Sequence, residues 1–354
     1  MDNKYIISFL VLTLTFLITF VNLFFVGRKN ERHIKKDTNA YIVNFTMLFV
    51  SFFALSLFIG QYDFIYDLNI MEPIIIFVLA ALVFILNNLE STKKIAFFGN
   101  IIAAGALYYF VPDTYVLNEH LHYVWLNKLS VAAIFLLLTL IYKYINGVEG
   151  VLAIQTFYVG IGIFLLGLFS ATSLLIGLWG GALAGVYLAF YVFNTYPSRL
   201  NVTNAAANSI SIIVVWLMIK NGQESSLSCS VVFGLYFIAE AAIAAGKRLS
   251  LLRRYEDIYA NTFSVQANAR GLSAKSVETS IMKVLILMLI FGCLQIYAPN
   301  YYSIPIFAAI VMLWFLNRLL NWDVPRQTLK EMNKSLVKEM KDNINEVKKI
   351  INRD

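Results

Sequence analysis

GGALAGVYLAFYVFNTYPSRLNVTNAAAN, residues 180–208, is a Gly/Ala-rich apolar run that stops at Phe193 and passes into a polar turn. Pro197 cannot continue a helix, so the stretch reads as a membrane helix that delivers a loop to the water interface. Function is expected in that loop.

Outward from this stretch, the composition sets the class. The chain has 354 residues, 59% of them hydrophobic and 14% charged, with a mean hydropathy of +0.70. That is too apolar for a soluble protein of this length and fits an all-α, polytopic membrane protein. Cys229 and Cys293 both lie in apolar runs and read as packing or lipid-facing residues; no C-x-x-C spacing suggests a metal. The net charge of +7 is explained by membrane topology, with no nucleic-acid partner, because the basic residues lie in short loops between spans.

Eleven apolar segments are long enough to span or nearly so, at about 4–26, 41–60, 73–88, 95–111, 127–145, 150–169, 172–193, 204–219, 228–246, 280–297 and 303–320. The first is too long for a cleavable signal and lacks a small-residue cleavage site. RKNERHIKK at 28–36 follows it and marks a cytoplasmic flank, which sets the N-terminus outside. Of the 28 Lys and Arg residues, all but Lys4, Lys128 and Lys220 then fall on the cytoplasmic side. The external loops QYDFIYDLNIME and PDTYVLNEHLHYVW are acidic or neutral and aromatic. His120 and His122, in the second, read as part of an interfacial belt rather than as a metal pair.

No short repeat or linker divides the spans, so residues 1–320 form one transmembrane domain. Residues 321–354 are a separate cytoplasmic element. There Leu329, Met332, Leu336, Met340, Ile344, Val347 and Ile351 recur at three- and four-residue steps opposite several lysines. This is a basic amphipathic helix, suited to anionic headgroups or to a coiled-coil contact.

Four landmarks stand in the cytoplasmic loops. After the third span comes Leu86-Asn87-Asn88-Leu89, followed by Asn100-Ile101-Ile102-Ala103-Ala104. After the fifth comes Lys143-Tyr144-Ile145-Asn146-Gly147-Val148-Glu149-Gly150. After the seventh comes Phe193-Asn194-Thr195-Tyr196-Pro197-Ser198-Arg199, running on to Asn204-Ala205-Ala206-Ala207. Before the tenth, NTFSVQANAR at 261–270 leads into Gly271-Leu272-Ser273.

Their order and spacing resemble the polyprenyl-phosphate N-acetylhexosamine-1-phosphate transferase family (glycosyltransferase family 4). These bacterial inner-membrane enzymes use Mg²⁺ to move a phospho-sugar from a UDP-sugar to a lipid phosphate in peptidoglycan and O-antigen synthesis. The family patterns resemble L-D-D-L with Q-I-I-A-A, N-x-x-D-G-x-D-G, F-N-x-x-P-A-K-I-F-M-G-D-S-G-S, and a histidine cluster ahead of G-L-S or G-W-S. The framework positions Asn194, Pro197, Gly147, Gly150 and Gly271 match, as turn-holding residues, and Arg199 keeps a basic position. The chemical positions differ: Asn87, Asn88, Asn146, Glu149 and Asn204 stand where the family has aspartates, and the histidines are absent.

Mg²⁺ binds through carboxylates, phosphate oxygens and waters. An amide removes the charge, worth about 4 kcal/mol per position at an effective dielectric near 20, and does not titrate near neutral pH. The resemblance therefore implies the fold with a degenerate site and no cofactor, Mg²⁺ entering only with residual activity. It implies binding of polyprenyl phosphate or a UDP-sugar without turnover, or a role beside an active transferase partner or as a homodimer. Lys93, Lys94, Lys143, Asn194, Arg199, Arg253 and Arg254 are the candidate ligand-binding residues. Lys143 either pairs with Glu149 or a bound phosphate, or snorkels to the headgroups. Glu90, Glu149, Glu256 and Asp257 are the inner-loop acids available to an active enzyme. Glu240, the only acid inside an expected span, would be the starting point for an ion path in a transporter.

Overall fold

The computed structural model describes residues 2–30, 71–89, 93–113, 123–200, 202–250, 262–298 and 301–320. The second expected span, His120, His122, Glu90, Arg253, Arg254, Glu256, Asp257 and the C-terminal helix lie outside the described residues, as do the side chains of Asn88, Lys93 and Lys94.

Among the described residues every regular element is helical. We label them α1 (Asp2–Asn30), α2 (Met71–Leu89), α3 (Lys93–Phe110), α4 (Val124–Tyr142), α5 (Val151–Leu168), α6 (Leu174–Asn194), α7 (Asn204–Glu224), α8 (Leu227–Ser250), α9 (Phe263–Ala269), α10 (Ala274–Tyr297) and α11 (Ser303–Leu320). Seven of them, α1, α4, α5, α6, α7, α8 and α10, are long and apolar enough to cross a membrane, and α2, α3 and α11 are shorter apolar helices. The protein is therefore a multi-pass, all-helical membrane protein. Backbone hydrogen bonds are satisfied within each helix, as a bilayer requires.

α5, α6 and α7 form the centre. Their apolar windows are 78%, 78% and 83% buried, against 28% for α1 and α4. α5 and α6 make the most extensive helix pair, and small residues are the cause. A Cβ built on Gly167 would stand 2.5 Å from the Cα of Gly177, and one on Gly180 would stand 2.8 Å from the Gly160 carbonyl oxygen. Only glycine lets the two backbones meet this closely. α1 packs on α6 at Gly185, where a Cβ would lie 2.6 Å from the Leu12 carbonyl oxygen. The outer helices turn large apolar side chains outward, among them Phe9, Leu17 and Phe25 of α1 and Ile306, Ile310 and Trp314 of α11.

Buried amides and hydroxyls fix helix register. Asn100 Nδ2 of α3 donates to Asn208 Oδ1 of α7 at 3.1 Å, and Ser209 Oγ donates to the Ala80 carbonyl of α2 at 2.6 Å. Gln155 Nε2 of α5 reaches the Phe233 carbonyl of α8 at 3.1 Å. At the end of the bundle where α2 begins and α7 finishes, Lys220 Nζ lies 2.6 Å from Glu72 Oε2, and Trp216 Nε1 donates to Glu72 Oε1 at 2.9 Å. Glu224 Oε2, nearby, accepts from Thr172 Oγ1 and from the Ser173 amide, both at 2.8 Å. Cys229 and Cys293 are free thiols.

Two expectations need correction. α10 starts at Ala274, ahead of the apolar stretch from 280, so Glu278 belongs to that helix and is 2% exposed. Glu72 is likewise buried, in the first turn of α2. Among the described residues Glu240 is thus one of three buried helical carboxylates, not the only one.

Candidate functional site

At the other end of the bundle from Glu72, three loops distant in sequence are brought together. They are the turn between α4 and α5 (143–150), the turn between α6 and α7 (195–203), and the α9 segment (262–272).

α6 ends at Asn194, one residue beyond the expected stop, and Asn194 is 4% exposed. Its two amide atoms are used in opposite senses. Oδ1 accepts from the Gly150 amide at 3.1 Å, and Nδ2 donates to the Leu200 carbonyl at 2.7 Å. One buried side chain thereby pins its own loop and couples it to the start of α5. Asn146 makes a parallel tie, with Nδ2 donating to the Val202 carbonyl at 2.8 Å. Glu149 adds a third, with Oε2 accepting from the Ser198 amide at 3.1 Å.

Glu278 arrives from α10. Its Oε1 and Oε2 accept from Thr195 Oγ1 at 2.9 and 3.1 Å, and Oε2 also accepts from the Tyr196 amide at 3.4 Å. Together with Glu149 it completes the backbone account of the loop. The amides of Thr195, Arg199 and Leu200 donate to the Tyr191 and Phe193 carbonyls at 2.9, 2.9 and 3.1 Å. Pro197 has no N–H. Every backbone donor from Thr195 to Leu200 therefore has an acceptor, two of them carboxylates.

The framework glycines have distinct causes. Gly150 has φ +80° and Gly271 φ +98°, the left-handed region that favours glycine. At Gly150 a Cβ would also stand 2.7 Å from Glu278 Cδ. Gly147 sits in a turn, as expected, and also serves close approach, because its Cβ would lie 2.5 Å from Val265 Cγ2 of α9. α9 is held from below. Glu240 of α8, 0% exposed, accepts from the Ser264 amide at 2.9 Å and from Ser264 Oγ at 2.6 Å through Oε1.

Lys143 occupies a single 3₁₀ turn, Lys143–Ile145, with its ammonium 5.5 Å from the centre of the Tyr144 ring. Arg199 is exposed in the α6–α7 loop. Asn204 is the exposed first residue of α7, whose first turn is capped by Thr203 Oγ1 accepting from the Ala206 amide at 3.1 Å. Asn87 is half-buried near the end of α2 and forms no hydrogen bond with this loop group among the described residues.

The structure thus gathers Asn146, Glu149, Asn194 and Arg199 on connected loops. Sequence reading missed Glu278, because hydropathy sees AKSVETS as polar loop text. The five-residue offset from the Ser273 cap to Glu278, just over one turn into a helix, was the available signal. Among the described residues no three His, Cys, Asp or Glu side chains gather as a ligand set for one ion. No protein-family model matches the chain, and no curated protein matches it.

Proposed function

We propose that the chain keeps the scaffold of the polyprenyl-phosphate N-acetylhexosamine-1-phosphate transferases and binds a phosphorylated ligand of that chemistry without turning it over. In this reading it spans a bacterial inner membrane eleven times, with the N-terminus outside. The loop end and the C-terminal helix face the cytoplasm. The ligand is polyprenyl phosphate or a UDP-sugar, and the protein serves an active transferase, or works as a homodimer, in lipid-linked glycan synthesis.

The supporting observation is the bond from Asn146 Nδ2 to the Val202 carbonyl. The amide there is a donor, and a carboxylate at the same place would set negative charge against a carbonyl oxygen. Asparagine at 146 is therefore built into the loop structure and is not an aspartate merely missing its charge. Glu149 is similarly committed to the Ser198 amide. With the backbone donors of Thr195–Leu200 all satisfied, an anion at this loop depends on side chains such as Arg199.

The test uses full-length protein in nanodiscs, with UDP-N-acetylglucosamine, undecaprenyl phosphate and Mg²⁺. We expect saturable binding of one phosphorylated compound and no release of UMP. Mg²⁺-dependent UMP release abolished by Glu149→Gln would favour a second reading. That reading is an active transferase using displaced acids, and its support is that Glu149 and Glu278 grip the same short turn. Absence of binding to both compounds would remove the ligand reading.

A further inference from the structure

We infer that Glu278 is a positioning residue: through Thr195 and Tyr196 it holds the α6–α7 loop in the shape that presents Arg199 to a phosphate group. The inference rests on the ligand reading above, and it adds a residue that no family motif supplies.

Glu278 meets three conditions that a merely space-filling residue would not. Its side chain is 2% exposed although it is charged. A buried carboxylate persists only when donors replace water; here Thr195 Oγ1 and the Tyr196 amide of the loop donate to it, beside a hydrogen bond with the Tyr191 side chain of α6. Its carboxyl also lies against Gly150, the residue preceding the first turn of α5, where the positive end of the helix dipole favours negative charge.

Arg199 lies three residues beyond Tyr196, and the segment between them is bracketed. Glu278 holds Tyr196, Glu149 holds Ser198, and the Phe193 carbonyl receives the amides of Arg199 and Leu200. Of these tethers, Glu278 is the one that comes from a helix outside the α5–α6 hairpin. Removing it leaves the hairpin intact but frees the leading half of the loop, and the arginine loses its fixed direction. Because the backbone donors of the loop are already used, the loop's own contribution to phosphate affinity falls on that side chain, the one basic residue in 195–203.

The experiment is a double-mutant cycle on ligand affinity in the full-length protein, reconstituted in nanodiscs. The probes are undecaprenyl phosphate in one arm and UDP-N-acetylglucosamine in the other, which separates a lipid-borne phosphate from a nucleotide-borne one. We expect Arg199→Ala and Glu278→Ala each to weaken binding about tenfold. The double variant should be no weaker than Arg199→Ala alone, since a residue that acts through Arg199 has nothing left to position. Glu278→Gln, which keeps the acceptor oxygen, should recover most of the affinity and also covers the case in which Glu278→Ala fails to fold. Hydrogen exchange of the 195–200 amides should quicken in Glu278→Ala and not in Arg199→Ala. Additive losses in the cycle, or unchanged affinity in both Glu278 variants while the unmodified protein binds, would overturn the inference and leave the ligand reading standing. No binding by the unmodified protein in either arm overturns both.

Discussion

The two ends of the bundle are tied in different ways. At the end that holds Glu72, the strongest ties join side chain to side chain: Lys220 and Trp216 both converge on one buried carboxylate. At the loop end, Asn194, Asn146 and Glu149 reach for backbone amides and carbonyls, and Glu278 takes a backbone amide beside the Thr195 hydroxyl. An ion pair between helices fixes where two rods sit. A side chain on a neighbouring backbone fixes the path of a loop, which is what a binding surface requires. One end is thus fixed helix to helix, and the other is fixed along the path of its loops.

Breaking the buried pair should have the largest effect. Lys220→Met leaves Glu72 charged and uncompensated, and we expect a loss of about 3–5 kcal/mol in unfolding free energy, measured by denaturant titration in micelles. Replacing Glu72 and Lys220 together by apolar residues should recover most of it. If Lys220→Met is neutral, the proposed contrast between the ends disappears. Next comes the helix contact that supports the loops. Gly167→Val drives a side chain into the Gly177 backbone and should cost about 1–3 kcal/mol or more by overpacking.

At the loop end, Asn146→Asp should cost about 1–3 kcal/mol, because the Val202 carbonyl loses its donor and faces a charge. The effect should concentrate in faster hydrogen exchange of residues 146–150 and 202–206; a uniform change over the whole bundle would show that the tie is not local. Thr203→Ala removes the cap of α7 and should cost about 1 kcal/mol. Lys128→Ala is the smallest case. Its partner Asp113, 2.5 Å away, is 75% exposed, so thermal unfolding should register a loss of about 0.2–1 kcal/mol. Comparison with Lys220→Met then isolates what burial does to an ion pair.

Much of this fold was legible in the chain because a bilayer imposes simple rules. Apolar length located every described long helix, and Pro197 and Asn194 marked the end of α6 to within one residue. Gly150 and Gly271 were readable as turn residues because φ is a local property. What stayed hidden depends on partners far away in sequence. Asn146 bonds a carbonyl 56 residues later, and Glu278 bonds a hydroxyl 83 residues earlier. α9 was invisible for a related reason. Its text is mixed and only seven residues long, and it is held by Ser264 meeting Glu240 as well as by Phe263 and Ala267 in the core, pairings with no local periodicity.

The backbone contact between Gly167 and Gly177 also bears on how the protein responds to its membrane. Most of the α5 and α6 windows is buried inside the bundle, whereas under a third of the α1 and α4 windows is buried against the described residues. When bilayer thickness changes, tilt and strain fall first on helices with a wetted apolar face. The central hairpin is shielded from that adjustment, so the loops suspended from it keep their spacing while the rim of the protein adapts to thin or thick bilayers.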